Sequence, residues 1–263
     1  MIGIFDSGVG GLTVVKEVLK ELPDYQIIYF GDTARLPYGT KGAEFVRRHS
    51  EKIANYLVEN GAEIIIIACH TASSWAGDFL KNKFSVPVFD MITPGIQEAA
   101  AISKNKKIGI IGTPGTIRSG IWKKKILKID SDLKVYSKSC PLLVSLIEEG
   151  WISKKATKEA IEEYLKSLKL KKIDVLILAC THYPLLEKEI RKFFGENVRI
   201  VNPAVFLAKE IKQFLVNDPE TARKIQKGRK HQFFFSDKPY NLTKISKFCF
   251  REKINLVVRD PFL

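Results

Sequence analysis

The chain has 263 residues, with 43 lysines and arginines against 29 aspartates and glutamates, which gives a formal net charge of +14. The length suits one large globular domain or two modest ones, and no apolar run approaches the ~18 residues that a membrane span requires. Because no charged leader with a long apolar stretch precedes the first predicted strand, we expect a cytoplasmic protein without a membrane partner. The positive charge raises nucleic acid as a partner, but the lysines are scattered over many predicted helix faces and loops. We interpret them as a solvated basic surface and do not expect nucleic acid to bind.

The first predicted strand, residues 2–5, runs into Asp6-Ser7-Gly8-Val9-Gly10-Gly11, after which an apolar period marks a helix. Glycines at such a turn let backbone amides approach a phosphate or a carboxylate at the helix N-terminus. A second predicted strand, residues 26–30, leads to Asp32 and the turn-rich segment Leu36-Pro37-Tyr38-Gly39, and a helix follows over residues 42–60. Polar groups therefore follow both strands at their C-terminal ends.

Two stretches of similar pattern each place a cysteine at the end of an apolar run. They are IIIIACHTASS at residues 64–74 and VLILACTHYP at residues 175–184. Each predicts a buried strand that ends in Ala-Cys, followed by polar residues where a helix could begin, so that Cys69 and Cys180 hold matching positions. A second echo, at nearly the same offset, pairs IGIFDSG at residues 2–8 with IGIIGTP at residues 108–114. The echoes predict two similar α/β halves, each supplying one cysteine.

The remaining predicted elements alternate between strands and helices, which favours mainly parallel sheets flanked by helices. The predicted strands cover residues 86–89, 107–111, 134–137, 173–178, 198–201, 232–235 and 254–258. The predicted helices cover residues 156–168 and 204–215, and another begins at Pro219. We interpret Thr93-Pro94-Gly95 as a crossing point into the second half, Thr113-Pro114-Gly115-Thr116 as a polar turn, and residues 142–147 as an apolar run that closes on Glu148.

Ligands bind outside the carboxyl ends of the strands in an open α/β sheet, so a cleft between the halves would present one thiol from each side. The first interpretation of this pair is two-base proton transfer, in which one cysteine as thiolate removes a proton from a carbon and the other as thiol returns one to the opposite face. It needs thiol pKa values brought toward neutrality from about 8.5. A cationic His182 would lower a thiol pKa, whereas Asp6, Asp32 or Glu148 would raise it and strengthen the resulting base.

Two other interpretations of the cysteines stay open. A zinc site could be formed by ligands of acceptable type, namely Cys69, His70, Cys180 and His182. Alternatively, both cysteines are buried hydrophobes at strand ends, as we expect of Cys140 and Cys249. The spacing of the four cysteines fits no disulfide scaffold, so reduced thiols are expected.

Four segments, GIFDSGVGGLTV, YFGDTARLPYG, IIACHTAS and LACTHYPLL, resemble the signature blocks of the glutamate racemases, in the same order and over essentially the whole chain. The resemblance implies a cofactor-independent interconversion of L-glutamate and D-glutamate, which supplies D-glutamate for peptidoglycan. It implies Cys69 and Cys180 as the two acid/base residues, with Asp6 supporting the first and Glu148 and His182 the second. The residues that it places around the substrate are Ser7, Asp32, Pro37, Tyr38, Gly39, His70, Thr71, Thr113, Thr116 and Thr181.

The resemblance also implies two lobes related by pseudo-twofold symmetry, with the C-terminal segment returning to the first lobe and the active site in the cleft between them. The first lobe is then residues 1–94 plus 207–263, and the second is residues 95–206. A homodimer is expected, since homodimers are common in the family. Because the chain begins at its first strand, we expect no activation by a peptidoglycan precursor through an N-terminal extension.

One residue departs from the family pattern: His70 stands where the family has asparagine. A histidine is larger, can carry charge and could keep one hydrogen-bond role. We hypothesise retained racemase chemistry with altered kinetics or substrate range. The alternatives are a related racemase or epimerase acting on aspartate or diaminopimelate, and a basic binding protein in which catalysis is impaired.

Overall fold

The computed structural model describes residues 1–240, 242–250 and 254–262, which form two sheets of parallel strands flanked by helices. The strands are β1 (Ile2–Asp6), β2 (Ile27–Gly31), β3 (Ile64–Ile67), β4 (Val88–Asp90), β5 (Lys107–Gly112), β6 (Lys134–Ser139), β7 (Val175–Ala179), β8 (Arg199–Val201), β9 (Gln232–Phe235) and β10 (Leu256–Val258). The helices are α1 (Leu12–Glu21), α2 (Ala43–Glu59), α3 (His70–Lys83), α4 (Ile92–Ile102), α5 (Pro114–Arg118), α6 (Ile121–Ile129), α7 (Pro141–Glu148), α8 (Lys155–Leu170), α9 (Glu187–Phe194), α10 (Pro203–Asn217), α11 (Pro219–Lys224) and α12 (Leu242–Cys249). Short 3₁₀ turns cover Thr33–Arg35, Tyr38–Thr40 and Tyr183–Leu186.

Four strands of the first sheet have the same order as the four strands of the second. In the described chain the first sheet runs β10-β9-β2-β1-β3-β4 and the second runs β6-β5-β7-β8. Strand β1 pairs in parallel with β2 and β3, so that Ile2 lies opposite Ile27 and Ile64. Strand β5 pairs in the same way with β6 and β7. The order β2-β1-β3-β4 thus recurs as β6-β5-β7-β8, which confirms the two similar α/β halves.

We call the first sheet with α1 to α3 the first half, and the second sheet with α5 to α9 the second half. Within each half the chain leaves the first strand toward one side and later returns on the other. This order creates a crevice at the carboxyl ends of β1 and β3, and of β5 and β7, where ligands bind in such folds. Cys69 and Cys180 follow β3 and β7, so both cysteines lie at these crevices.

The strands that carry the cysteines are buried on both faces. Every residue of Ile64–Ile67 and of Val175–Ala179 is buried. Parallel strands covered by helices on both sides read as continuous apolar runs, which explains why the sequence pattern located them. Helix α3 begins directly after Cys69, whose Sγ accepts a hydrogen bond from Ala72 N at 3.5 Å as the helix N-cap.

Three segments that the sequence pattern did not assign to a helix belong to helices. Thr93-Pro94-Gly95 is the first turn of α4, the helix that connects β4 of the first sheet with β5 of the second. The helix starts there because Asp90 Oδ1 accepts hydrogen bonds from Ile92 N at 2.7 Å and Thr93 N at 3.1 Å. The expected polar turn at residues 113–116 opens α5, with Thr113 as its cap. The apolar run at residues 142–147 is the body of α7.

The lobe boundaries at 94/95 and 206/207 fall inside α4 and α10 and stay a prediction. The expected first lobe includes residues 241, 251–253 and 263, which lie outside the described residues. No helix in the described part of the chain is long and apolar enough to cross a membrane.

Candidate active site

A cavity of about 370 Å³ lies where the crevices of the two halves meet. Its walls come from both halves: the turn after β1, the segment after β2 and the start of α3 on one side, and α7 with the ends of β5 and β7 on the other. The lining residues are Ser7, Gly8, Leu36, Pro37, Tyr38, Gly39, Thr40, Cys69, His70, Thr71, Thr113, Pro114, Pro141, Val144, Ser145, Glu148, Ala179, Cys180, Thr181 and His182. Both strand-end cysteines therefore reach one cavity.

Cys69 is a buried thiol on the wall from the first half. Its Sγ donates to Ser7 Oγ at 3.6 Å and accepts from the backbone N–H of Ala72. Burial, and secondly the negative charge of Asp6, raise the pKa of Cys69 to about 12. The expected lowering of the thiol pKa is therefore wrong for Cys69, because burial and the carboxylate outweigh the helix N-terminus. Cys69 is a thiol at neutral pH.

Cys180 faces a charged pair on the wall from the second half. Its Sγ lies 3.9 Å from Nδ1 of His182, and Nε2 of the same ring lies 3.0 Å from Oε1 of Glu148. Burial would lower the pKa of His182, but the hydrogen bonds with Cys180 and Glu148 and the attraction of their negative charges outweigh it and raise the pKa to about 10. His182 is thus an imidazolium at neutral pH, and it stabilises negative charge on the neighbouring sulfur.

Asp6 lies behind the cavity wall, close to Cys69 and to Thr181, the residue after Cys180. Its Oδ2 accepts from Gly8 N at 3.0 Å and its Oδ1 accepts from Thr181 Oγ1 at 3.5 Å. Burial raises the pKa of Asp6, against the lowering effect of the cationic His182. The carboxylate therefore acts on Cys69 and on the Cys180 side without lining the cavity.

Close backbone approach brings the halves together at Gly10. A side-chain carbon built there would collide with Thr181 Oγ1 and would lie 2.5 Å from His182 Cε1. Glycine alone leaves room for the residues after Cys180, which accounts for a glycine in the turn after β1. The contact is reinforced by Thr13 Oγ1, which donates to the backbone oxygen of Thr181 at 2.8 Å.

Three threonine hydroxyls join the halves on another wall. Oγ1 of Thr71 lies 2.8 Å from Oγ1 of Thr113 and 3.1 Å from Oγ1 of Thr116, and the last two are 3.0 Å apart. Thr71 belongs to α3 and the other two to the start of α5. Hydroxyls can donate and accept, so Thr71 and Thr113 offer the cavity hydrogen-bonding groups that suit a carboxylate, while Thr116 binds both of them from behind the wall.

Asp32 is buried behind the segment after β2 and does not line the cavity. It accepts from Arg35 Nη1 at 2.8 Å, Tyr38 Oη at 2.6 Å and Ser236 Oγ at 2.9 Å. Arg35 is held in turn by Asp260, at 2.8 Å. The carboxylate of Asp32 thus fixes Tyr38 in the wall and has its lone pairs engaged by protein donors.

The sequence-predicted residues fall into two groups. Those lining the cavity are Ser7, Pro37, Tyr38, Gly39, Cys69, His70, Thr71, Thr113, Glu148, Cys180, Thr181 and His182. Those behind the wall are Asp6, Asp32 and Thr116. Sequence reasoning missed Pro141, Val144 and Ser145, although their spacing with Glu148 is that of one face of a helix and would have marked them once α7 was recognised.

The zinc arrangement of Cys69, His70, Cys180 and His182 is not formed. The His70 ring stacks on Trp122 and His182 Nε2 contacts Glu148. Among the residues that the structure describes, no three His, Cys, Asp or Glu side chains are grouped so that they could hold a metal ion. The arrangement instead offers two thiols in different electrostatic surroundings, on cavity walls that come from different halves.

Known proteins share this sequence and fold. A model of the Asp/Glu/hydantoin racemase family matches residues 6–211. A glutamate racemase from Aquifex aeolicus is 42% identical over 253 residues, which are 96% of this chain and 95% of that protein. The crystal structure of a glutamate racemase isoform from Bacillus anthracis has a TM-score of 0.93 at 35% identity, covering 99% of this chain and 97% of its own. That of the glutamate racemase from Francisella tularensis in complex with D-glutamate has a TM-score of 0.89 at 33% identity, covering 98% and 97%. The chain therefore belongs to the Asp/Glu/hydantoin racemase family and, within it, to the glutamate racemases.

Proposed function

We propose that the chain interconverts L-glutamate and D-glutamate by proton transfer at Cα, with Cys69 and Cys180 as its two acid/base residues. The observation that carries the proposal is the equivalence of the two thiols, since each follows the third strand of its half and both line one cavity. Thiols on walls from different halves can act on opposite faces of one carbon, which inversion requires. The similarity to glutamate racemases supports glutamate as the substrate.

The two thiols have different surroundings at the start of a turnover. The cationic His182 lies beside the Cys180 sulfur and stabilises negative charge on it when it acts as the base, whereas burial keeps Cys69 protonated. The Cys180 thiolate takes the Cα proton, and the electron pair of the broken C–H bond stays on the substrate carbon. The Cys69 thiol then gives its proton to the opposite face of that carbon.

After this transfer the product has the inverted configuration, Cys180 is a thiol and Cys69 is a thiolate. The same steps in reverse convert the other enantiomer and restore the first state. A thiol with a high pKa gives a strong base once it is deprotonated, so the burial that keeps Cys69 protonated at the start also suits it to remove a weakly acidic Cα proton in the reverse direction.

The remaining predicted residues receive supporting roles in this proposal. Asp6 supports Cys69, while Glu148 and His182 support Cys180. The substrate is held by hydroxyl and amide groups of the wall, from Ser7, Tyr38, Gly39, Thr71, Thr113 and Thr181, while Pro37 and His70 complete the wall as packing residues. Asp32 and Thr116 act one step removed, because they bind Tyr38 and Thr113 through hydrogen bonds.

The experiment that tests the proposal follows the optical activity of L-glutamate and of D-glutamate with the purified protein and without added cofactor. We expect loss of optical activity from either enantiomer, and its near-complete suppression in Cys69→Ala and Cys180→Ala. The matched control is Cys140→Ala, a buried cysteine with a pKa raised by burial to about 12 that does not line the cavity. Unchanged racemisation in either cavity variant would contradict the two-thiol mechanism.

Aspartate and diaminopimelate are the competing substrates, and a single assay with all three amino acids separates them. D-glutamate formed by this reaction serves peptidoglycan synthesis, which fits a cytoplasmic enzyme. We further propose two lobes, residues 1–94 plus 207–263 and residues 95–206, and a homodimer that has no nucleic-acid partner. Sedimentation of the protein, with and without duplex DNA at low salt, tests the last two statements.

A further inference from the structure

His70 lines the cavity, yet its ring nitrogens do not face a hydrogen-bond partner. The residue is 3% exposed, and both Nδ1 and Nε2 are buried and unpaired. Nitrogens without exposed surface cannot bind a group in the cavity unless the ring turns. What the ring does contact is Trp122: the two rings are stacked, with centroids 5.8 Å apart and planes at 17°.

Trp122 fixes this stack from the other half of the protein. It is 2% exposed in α6, beside the second sheet, whereas His70 opens α3 beside the first. Trp122 Nε1 donates to Ser74 Oγ at 3.1 Å, and Ser74 Oγ donates to the backbone oxygen of His70 at 2.7 Å. The indole is therefore attached to the first turn of α3 at two points, through the ring stack and through Ser74.

The charge state of His70 agrees with a packing role. Burial lowers the pKa of His70 to about 3, so the ring is neutral at every pH at which the protein would work. A neutral ring does not supply the cation that would favour a thiolate at Cys69. The histidine at position 70 therefore puts an uncharged aromatic ring where asparagine would put a polar amide.

We propose that His70 is a positioning residue that acts as an aromatic wall, whose stack on Trp122 holds the start of α3, and with it Cys69, against the second half. Cys69 immediately precedes His70, so a shift of the first turn of α3 moves the thiol directly. The proposal rests on the proposed racemase function for what the positioning serves, while the stack itself is independent of it.

The variants that separate packing from hydrogen bonding are His70→Phe and His70→Ala. Phenylalanine keeps an aromatic ring and removes two unpaired nitrogens, so we expect kcat within about threefold of the original and an unfolding midpoint in urea that is equal or higher. Alanine removes the ring that holds the first turn of α3, so Cys69 can shift. Because small displacements of an acid/base group slow proton transfer strongly, we expect kcat to fall about tenfold to a hundredfold with a smaller change in KM. Loss of kcat in His70→Phe as large as in His70→Ala would overturn the proposal, and so would full activity of His70→Ala.

A double-mutant cycle tests the stack without any activity measurement. We expect His70→Ala and Trp122→Leu to be non-additive in urea unfolding, since the second change removes a contact that the first has already lost. Trp122→Phe replaces the leucine variant if that variant does not fold. The matched control is Trp75→Leu, a tryptophan of the same helix α3 outside the stack, which should be additive with His70→Ala. Additivity in the Trp122 cycle would overturn the stack.

NMR of the His70 ring in the full protein is a third test of the proposal. The chain has 4 histidines, so the His70 signals are assigned by comparison with His70→Phe. We expect ¹⁵N shifts of a neutral ring that do not respond to D-glutamate, and a hydrogen-bond shift on adding D-glutamate would overturn the proposal. If the original protein does not racemise glutamate, the proposed function fails, whereas the unfolding cycle still decides on the stack.

Discussion

The pair formed by Glu148 and His182 is the part of the site whose removal has the most definite consequence. In Glu148→Gln the ring keeps a hydrogen-bonding neighbour of the same size but loses the negative charge 3.0 Å from Nε2. The imidazolium is then less stable, and with it the thiolate that it favours at Cys180. The variant should therefore slow the chemical step without disturbing the cavity wall.

The magnitude follows from the burial of the pair. The side chains of His182 and Glu148 are only 9% and 20% exposed, so solvent screens them far less than a surface ion pair. A hydrogen bond to a charged group contributes about 1.5–3 kcal/mol, which corresponds to roughly a tenfold to hundredfold loss of kcat/KM. The pKa of His182, about 10 in the folded protein, lies above its ordinary value of 6.5. The pair's contribution to stability is therefore complete below the ordinary value and is lost as pH rises through about 10.

The assay measures kcat and KM for both enantiomers as a function of pH. Since L-glutamate and D-glutamate have equal free energy in water, kcat/KM must fall by the same factor in both directions, and asymmetry can appear only in kcat and KM separately. We expect the alkaline limb of the activity profile to move to lower pH in Glu148→Gln. The matched control is Glu149→Gln, the adjacent acidic residue, which accepts from Tyr240 Oη at 2.7 Å. The ion pair would have no catalytic role if the alkaline limb did not move in Glu148→Gln, or if kcat/KM fell no further than in Glu149→Gln.

Three further variants test other parts of the site. Gly10→Ala should lower kcat in the racemisation assay about tenfold or more, because the added carbon displaces His182. Circular dichroism should show that the variant keeps its fold. Asp32→Asn should lower the free energy of unfolding in urea by about 3 kcal/mol, because its three donors then face a neutral amide, and a loss below that of a typical surface substitution would argue against the network. Cys140→Ala should keep kcat within about threefold, and a larger loss in the racemisation assay would give Cys140 a role that its position outside the cavity does not.

The strands and the cysteines at their ends were predictable because the signal is local. A parallel strand buried on both faces is a continuous apolar run, and Cys69 and Cys180 follow such runs directly. The repeated spacing then predicted two similar halves, which the matching strand orders confirm. Burial of a strand depends on its own residues, so the sequence was sufficient there.

Elements that depend on capping were predicted less well. The start of α4 depends on Asp90, whose side chain binds the N–H groups of the first turn, and Pro94 is tolerated because it lies within that turn. The sequence pattern shows α7 only as an apolar run, so Pro141, Val144 and Ser145, which line the cavity beside the predicted Glu148, were missed. A short helix and a short strand cannot be distinguished by apolar content alone.

The environment of the site residues depends on partners far away in the chain. The sequence places Asp32 at the substrate, but its hydrogen bond with Ser236 joins residues that directly follow β2 and β9, strands that become neighbours only in the folded sheet. His70 was treated as a possible cation, but its stack on Trp122 and its burial make it neutral. Such contacts have no local pattern, and the structure is needed to find them.

The central claim is that two different groups remove and return the Cα proton, and deuterium placement at early times tests it most directly. L-glutamate is incubated in D₂O, and the reaction is stopped while little product has formed. Two-base transfer predicts deuterium at Cα in essentially all of the D-glutamate and almost none in the remaining L-glutamate, because one cysteine removes the proton and the other supplies a solvent-derived deuteron. Protium retained in the product, or deuterium entering the remaining L-glutamate as fast as product forms, would contradict two-base transfer.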